Sequence, residues 1–160
     1  SAGKILVYDE AGNYLLKLTG DVRVTLCGTL NRHMETIFGS QVVNGVVVDM
    51  LEAECLDSTT LGVLAKLGIH CQREYGINVQ VFCYHPSILR TLDCMGFDEI
   101  FDIHEGLLSP YGTVSDLAMV TPEVSETRRQ VLEAHKILIQ LSPKNSDQFT
   151  DLIQALESGC

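Results

Sequence analysis

Hydrophobic positions change their period several times along the chain, and each change predicts an element. Lys4 to Tyr8 and Tyr14 to Thr19 are short apolar runs separated by the turn signal Gly12-Asn13, which predicts a β-hairpin. Val22, Val24 and Leu26 then alternate with Arg23 and Thr25, the pattern of a third strand. Leu30, Met34, Ile37 and Phe38 share one helical face, with Thr29 as a cap and Gly39 as a stop. Val42 to Met50 contains three consecutive valines and predicts a central parallel strand covered on both faces. Glu52 to Asp57 is read as a loop. Thr59 to about Tyr75 is the strongest helix, with Leu61, Leu64, Ala65, Gly68 and Cys71 as its buried stripe and Gly76 as its end. Asn78 to Tyr84 is a strand, Pro86 opens a helix that Gly96 closes, and Ile100 to Ile103 is a last short strand.

This β-β-β-α-β-α-β-α-β order over residues 4–104 predicts an α/β fold. Its mixed sheet has parallel core strands, packed α-helices and right-handed crossovers. We divide the chain into a domain at 1–106, a Gly/Ser/Pro-containing connection at 107–120 and a C-terminal helical hairpin at 121–160. In the hairpin, Val124, Val131, Ala134, Leu138 and Leu141 form a heptad-like seam, and Phe149, Leu152, Ile153 and Leu156 form a second apolar face. Such stripes pack on each other and on the sheet domain. The sharper readings are a homodimer or closure over the edge near Ser58.

The 160 residues carry a net charge of −10, which argues against nucleic acid and against anionic lipid surfaces. No apolar run is long enough to span a membrane, and nothing at the start resembles a signal peptide. The six cysteines lie singly, without CxxC spacing, which predicts free thiols in a cytoplasmic protein. Nucleotide-binding and hydrolase motifs are missing from the sequence. The five histidines lack metal-ligand spacing, so no catalytic residue, metal or cofactor is expected. Asp21 and Asp57 could approach each other in space, but acidic residues at sheet ends are far more often caps or solvated charges than acid–base pairs.

One segment concentrates the chemistry. After Val46 to Met50, the cluster Asp57-Ser58-Thr59-Thr60 opens the strongest helix. Asp57 or Ser58 can cap its orphan amides. A serine at a helix start also suits a kinase, because the helix amides and dipole tolerate the added phosphate.

Asp57-Ser58-Thr59-Thr60-Leu61-Gly62 resembles the D-S-[ST]-G-L-G phosphorylation motif of the STAS family, which includes the bacterial anti-sigma factor antagonists. Leu26-Cys27-Gly28-Thr29-Leu30 resembles the family's L-x-G-E-L turn just before the first helix. Leu18-Thr19-Gly20-Asp21-Val22 fits the same letters but ranks second, because a strand is expected after it. Val79-Gln80-Val81-Phe82, the helix from Pro86 and Met95-Gly96-Phe97-Asp98-Glu99-Ile100-Phe101 match the closing segments. Thr60 replaces the usual Gly, Thr29 the usual acid, and the helical hairpin is an addition.

The resemblance implies a non-enzymatic partner switch. The unphosphorylated protein would bind an anti-sigma factor, often also a serine kinase. Phosphorylation of Ser58 would end that complex, and a metal-dependent PP2C-type phosphatase would reset it. Thr29, Asp57, Thr59, Thr60, Leu61 and Gly62 would border the docking surface. The alternative is a STAS docking subunit of a transporter ATPase or a signalling scaffold without a phospho-switch.

Overall fold

In a computed structural model of the chain, the described residues are 1–105, 115–116, 132–134, 136–138 and 140–141. Expectations for Val124, Val131, the second hairpin helix with Phe149 to Leu156, and Cys160 fall outside them.

The chain opens with the expected hairpin, β1 (Lys4–Glu10) antiparallel to β2 (Asn13–Val22). Its two-residue turn is Ala11-Gly12, one residue earlier than expected, and both residues have positive φ. That turn type matches the right-handed twist of the flanking strands. The predicted third strand is not formed. Val24–Leu26 makes a 3-10 turn that leads directly into α1 (Cys27–Phe38). The alternation of Val22, Val24 and Leu26 is also compatible with a tight helical entry, and here only Leu26 of the turn is buried.

β3 (Gly45–Met50) is the expected central parallel strand, flanked by β2 and by β5 (Val79–Cys83). Glu52 to Asp57 is not simply a loop. Within it, β4 (Ala53–Leu56) pairs in parallel with the last residues of β2. α2 (Ser58–Tyr75) follows, then β5, α3 (Pro86–Cys94) and β6 (Phe101–His104). Ser115–Asp116, within the expected connection, adds a short β7 antiparallel to β1. The sheet order is β6-β5-β3-β2-β1-β7, with β4 continuing alongside β2 where β3 has ended.

The core lies on one face of this sheet. Leu16, Leu18 and Val22 of β2, Val48 and Met50 of β3, and Val81 and Cys83 of β5 join Leu30, Met34 and Ile37 of α1 and Leu64, Leu67 and Cys71 of α2. The opposite face is only half covered, contrary to the double coverage expected from the valine run. Val47, Lys17, Gln80 and Phe82 remain partly exposed there. A polar network runs across that face: the Gln80 amide donates to Asp102 at 2.7 Å, and the Phe82 and His104 rings stack at 4.8 Å. Leu15 and Asp49 are the residues of β2 and β3 that are buried on this second face.

α2 ends as expected at Gly76, whose φ of 63° is the left-handed conformation glycine adopts without strain. Its N-terminal half is not striped: residues 59–65 are all buried, so the helix is covered there on every side.

Candidate functional site at the start of α2

β2, β4 and α2 meet at one corner of the sheet. Val22 pairs with Leu56, and the Asp57 amide donates to the Val22 carbonyl at 3.3 Å. Asp57 is extended and is the N-cap of α2. Its Oδ1 accepts from the Thr60 amide at 2.9 Å and from the Thr60 hydroxyl at 2.8 Å. Its Oδ2 accepts from the Val24 amide at 2.7 Å. One carboxylate thus satisfies an orphan amide of α2 and ties the helix to the segment between β2 and α1. A three-residue step from acid to hydroxyl gives this double acceptance at the first turn.

Thr60 is fully buried, and its hydroxyl also lies 3.6 Å from the Cys27 thiol. Burial pushes that thiol up to about 12, outweighing the opposing effect of the Thr60 hydrogen bond, so it stays protonated. Thr59 and Leu61 are also buried, at 4% and 2% exposure. Ser58, the first helical residue, is the partly exposed hydroxyl of the three. Asp57 is likewise partly exposed.

Gly62 sits one turn beyond Ser58 on the same side of α2. A Cβ there would lie 2.3 Å from the Ala134 carbonyl oxygen, so helical residues 132–134 cross directly over it. Thr59, Thr60, Leu61 and Gly62 are thus all buried at this corner, Gly62 under the backbone of Ala134.

Thr29 requires a correction. It does not cap a helix, and Leu26–Leu30 is not a turn before one: α1 already begins at Cys27, and Thr29 is 3% exposed within its first turn. The segment that does precede the first helix is Leu18–Val22, because no strand follows β2. Its acid, Asp21, pairs with Cys55 of β4 across a register shift at Gly20. One carboxylate oxygen accepts from Arg23 Nε at 2.7 Å, whereas the other is buried and takes no hydrogen bond. The strand whose expectation places Leu18–Val22 second is not formed, so this segment leads into α1 through the 3-10 turn.

A family model for the STAS domain matches residues 4–109. The chain belongs to the STAS family. Among solved structures, the crystal structure of an anti-sigma factor antagonist from Mycobacterium paratuberculosis is similar to it at a TM-score of 0.55. The identity is 21%, over 64% of this chain and 86% of that one. No curated protein sequence matches the chain. As a STAS domain it has the expected mixed sheet, and the serine of the motif-like segment stands at the N-terminus of α2.

Among the described residues there is no group of side chains arranged to hold a metal ion, and no helix long and apolar enough to cross a membrane. Cys27, Cys55, Cys71, Cys83 and Cys94 are all free.

Proposed function

We propose that this STAS protein is an anti-sigma factor antagonist controlled by phosphorylation of Ser58. It binds an anti-sigma factor while Ser58 is bare and is released when Ser58 carries phosphate. The observation that carries this reading is the sorting of three adjacent hydroxyls. Thr59 and Thr60 are buried, Thr60 is spent on the Asp57 cap, and Ser58 alone combines partial exposure with the first position of the helix. A phosphate there meets the positive end of the helix, so it can be added without unfolding the domain. Its two negative charges then act on whatever docks at the corner. The protein serves as the substrate of a serine kinase and a PP2C-type phosphatase in the cytoplasm and performs no catalysis itself.

The test is phosphosite mapping of the full chain recovered from its host, beside affinity measurements with the anti-sigma factor it captures. Wild type should carry phosphate on Ser58. Ser58→Ala should bind constitutively, and Ser58→Asp should bind at least about tenfold more weakly, a loss of about 1.4 kcal/mol. Phosphate confined to Thr59 or Thr60 would refute the assignment. Absence of phosphate together with unchanged binding by Ser58→Asp would leave a docking domain without a switch, as in a transporter subunit or scaffold.

A further inference from the structure

Arg23 stands at the Ser58 corner with most of its donors unused. The β2–β4 ladder pairs Asp21 with Cys55 and Val22 with Leu56, and the Asp57 amide continues it onto the Val22 carbonyl at 3.3 Å. Residue 23 therefore lies across from Asp57. The Val24 amide, held by Asp57 Oδ2 at 2.7 Å, pins it there. Paired strands are about 5 Å apart and the next Cα lies about 3.8 Å further on, so an extended arginine side chain at this position reaches Ser58. The Arg23 backbone is extended, and its side chain is 59% exposed.

Its guanidinium gives one bond, from Nε to Asp21 Oδ2 at 2.7 Å. The two terminal nitrogens donate to no other group among the described residues. Asp21 in turn holds Arg23 by a single oxygen, since its Oδ1 is buried without a hydrogen bond. The charged surroundings are acidic: the Asp21 bond and charge, and after them Cys55 and Asp57, hold the guanidinium proton more firmly than usual. Glu54, beside Cys55 on β4, is taken by the Ser1 amino group at 2.8 Å. A single-point ion pair so open to water is weak. A phosphate offers nearly two charges and three acceptor oxygens, and it matches the planar fork of an arginine better than one carboxylate oxygen does.

We infer that Arg23 reads the phosphorylation state of Ser58: its guanidinium leaves Asp21 and clamps the phosphate through the terminal nitrogens. The inference deepens the Ser58 reading and rests on it for the presence of phosphate in the cell. Two changes then reach a docked partner together. A phosphate held by Arg23 stands at the head of α2, and the Asp21 carboxylate loses the cation that neutralises it in the bare state. The added negative charge is spread over two points of the corner, so partner groups that face Asp21 sense the modification as well as those that face Ser58.

The test uses the full chain with phosphoserine incorporated at position 58 during translation, and follows the phosphate by phosphorus NMR as pH is varied. An ordinary phosphoserine takes up its second proton near about pH 6. With Arg23 present that midpoint should lie at least about half a pH unit lower than in Arg23→Gln, because the guanidinium favours the dianion. Arg23→Lys should fall between the two, since an ammonium keeps the charge and loses the fork. The helix amides act alike in all three chains and drop out of the comparison. Coincident titration of wild type and Arg23→Gln overturns the inference. A second reading needs no variant: the Arg23 Nε–H resonance should move between the bare and the phosphorylated chain, and an unmoved resonance shows that the guanidinium stays on Asp21 and also overturns it. The phosphate is installed without a kinase, so a failure here is distinct from a failure to find Ser58 phosphorylated in the host.

Discussion

α2 and α3 both begin directly after a strand of the same sheet, and each has a serine in its first turn. Their starts are built differently. α2 is capped by Asp57, whose carboxylate takes three hydrogen bonds and reaches across to Val24. α3 is capped by His85, whose Nδ1 accepts one bond from the Ser87 amide at 3.2 Å, with Pro86 occupying the first helical position. His85, Pro86 and Ser87 are all exposed, whereas the α2 start rests on the buried pair Thr60 and Cys27. A hydroxyl at a helix start is therefore a poor marker of a site by itself. What distinguishes Ser58 is a rigid base: the residues around it are fixed by long-range hydrogen bonds, so a charge added there changes the surface without moving the backbone.

The largest expected break in this comparison is Asp57→Ala. It should cost about 2–3 kcal/mol in denaturant unfolding, because it removes a helix cap and strands the Val24 amide and the Thr60 hydroxyl. His85→Ala, at the exposed cap, should cost less than about 1 kcal/mol. Equal losses would show that the two starts are energetically alike.

Thr60→Val keeps the shape of the side chain and deletes the hydroxyl. About 1–2 kcal/mol should be lost, since Asp57 and Cys27 both lose a buried partner. Ser58→Asp should move stability the other way, by about 0.3–1 kcal/mol, because an acid suits a helix N-terminus. Paired with weaker partner binding, that gain would separate the switch from damage to the fold.

Thiol reactivity sharpens the same contrast without mutation. Burial raises Cys27 to about 12 and Cys71 to about 11, while Cys55 and Cys94 are exposed. In native protein at about pH 8, alkylation should label Cys55 and Cys94 first, with Cys27 and Cys71 reacting only on unfolding. Rapid labelling of Cys27 would mean that the base of the Ser58 corner opens readily.

The smallest effect concerns acid. His33 lies outside the corner, on α1, and burial lowers its imidazole below the usual range, opposed by the Asp9 charge. The unfolded chain therefore takes up a proton that the folded chain resists. The stabilisation is present above about pH 6.5 and is lost as pH falls through the folded value. His33→Gln should flatten that part of the stability profile, while the Ser58 corner stays unaffected. An identical profile would show that His33 plays no part in it.

The sequence made most of the sheet legible because its strands are short apolar runs bounded by Gly, Asn and Pro. The serine at the head of α2 was legible from its local motif. Two kinds of feature were not. The 3-10 turn at Val24–Leu26 has the alternation of a strand, and its amide at Val24 is held by Asp57, 33 residues away, a partner no local pattern reveals. β4 reads as a loop because Glu54 and Cys55, on opposite faces of the strand, are both exposed and leave no apolar alternation. With no strand after β2 and α1 starting at Cys27, it is Leu18–Val22, and not Leu26–Leu30, that lies ahead of the first helix. The approach of Ala134 to Gly62 is not legible either. A glycine inside a helix signals a close approach without saying what approaches.

β2 has ten residues and serves three neighbours: β1 along most of its length, β3 beside its first half and β4 beside its last residues. These pairings differ greatly in the length of chain that must be closed. The hairpin with β1 closes through the two residues Ala11 and Gly12, while β3 and β4 return only after α1 has been traversed. Loop closure is thus cheap for the first pairing and expensive for the other two. The hairpin is expected to act as the folding template onto which the parallel strands assemble, and the Ser58 corner to be completed last. Gly12, with a φ of 83°, is the position where this order can be timed. Gly12→Val should slow refolding in stopped-flow experiments far more than it speeds unfolding, whereas Leu56→Ala should do the reverse.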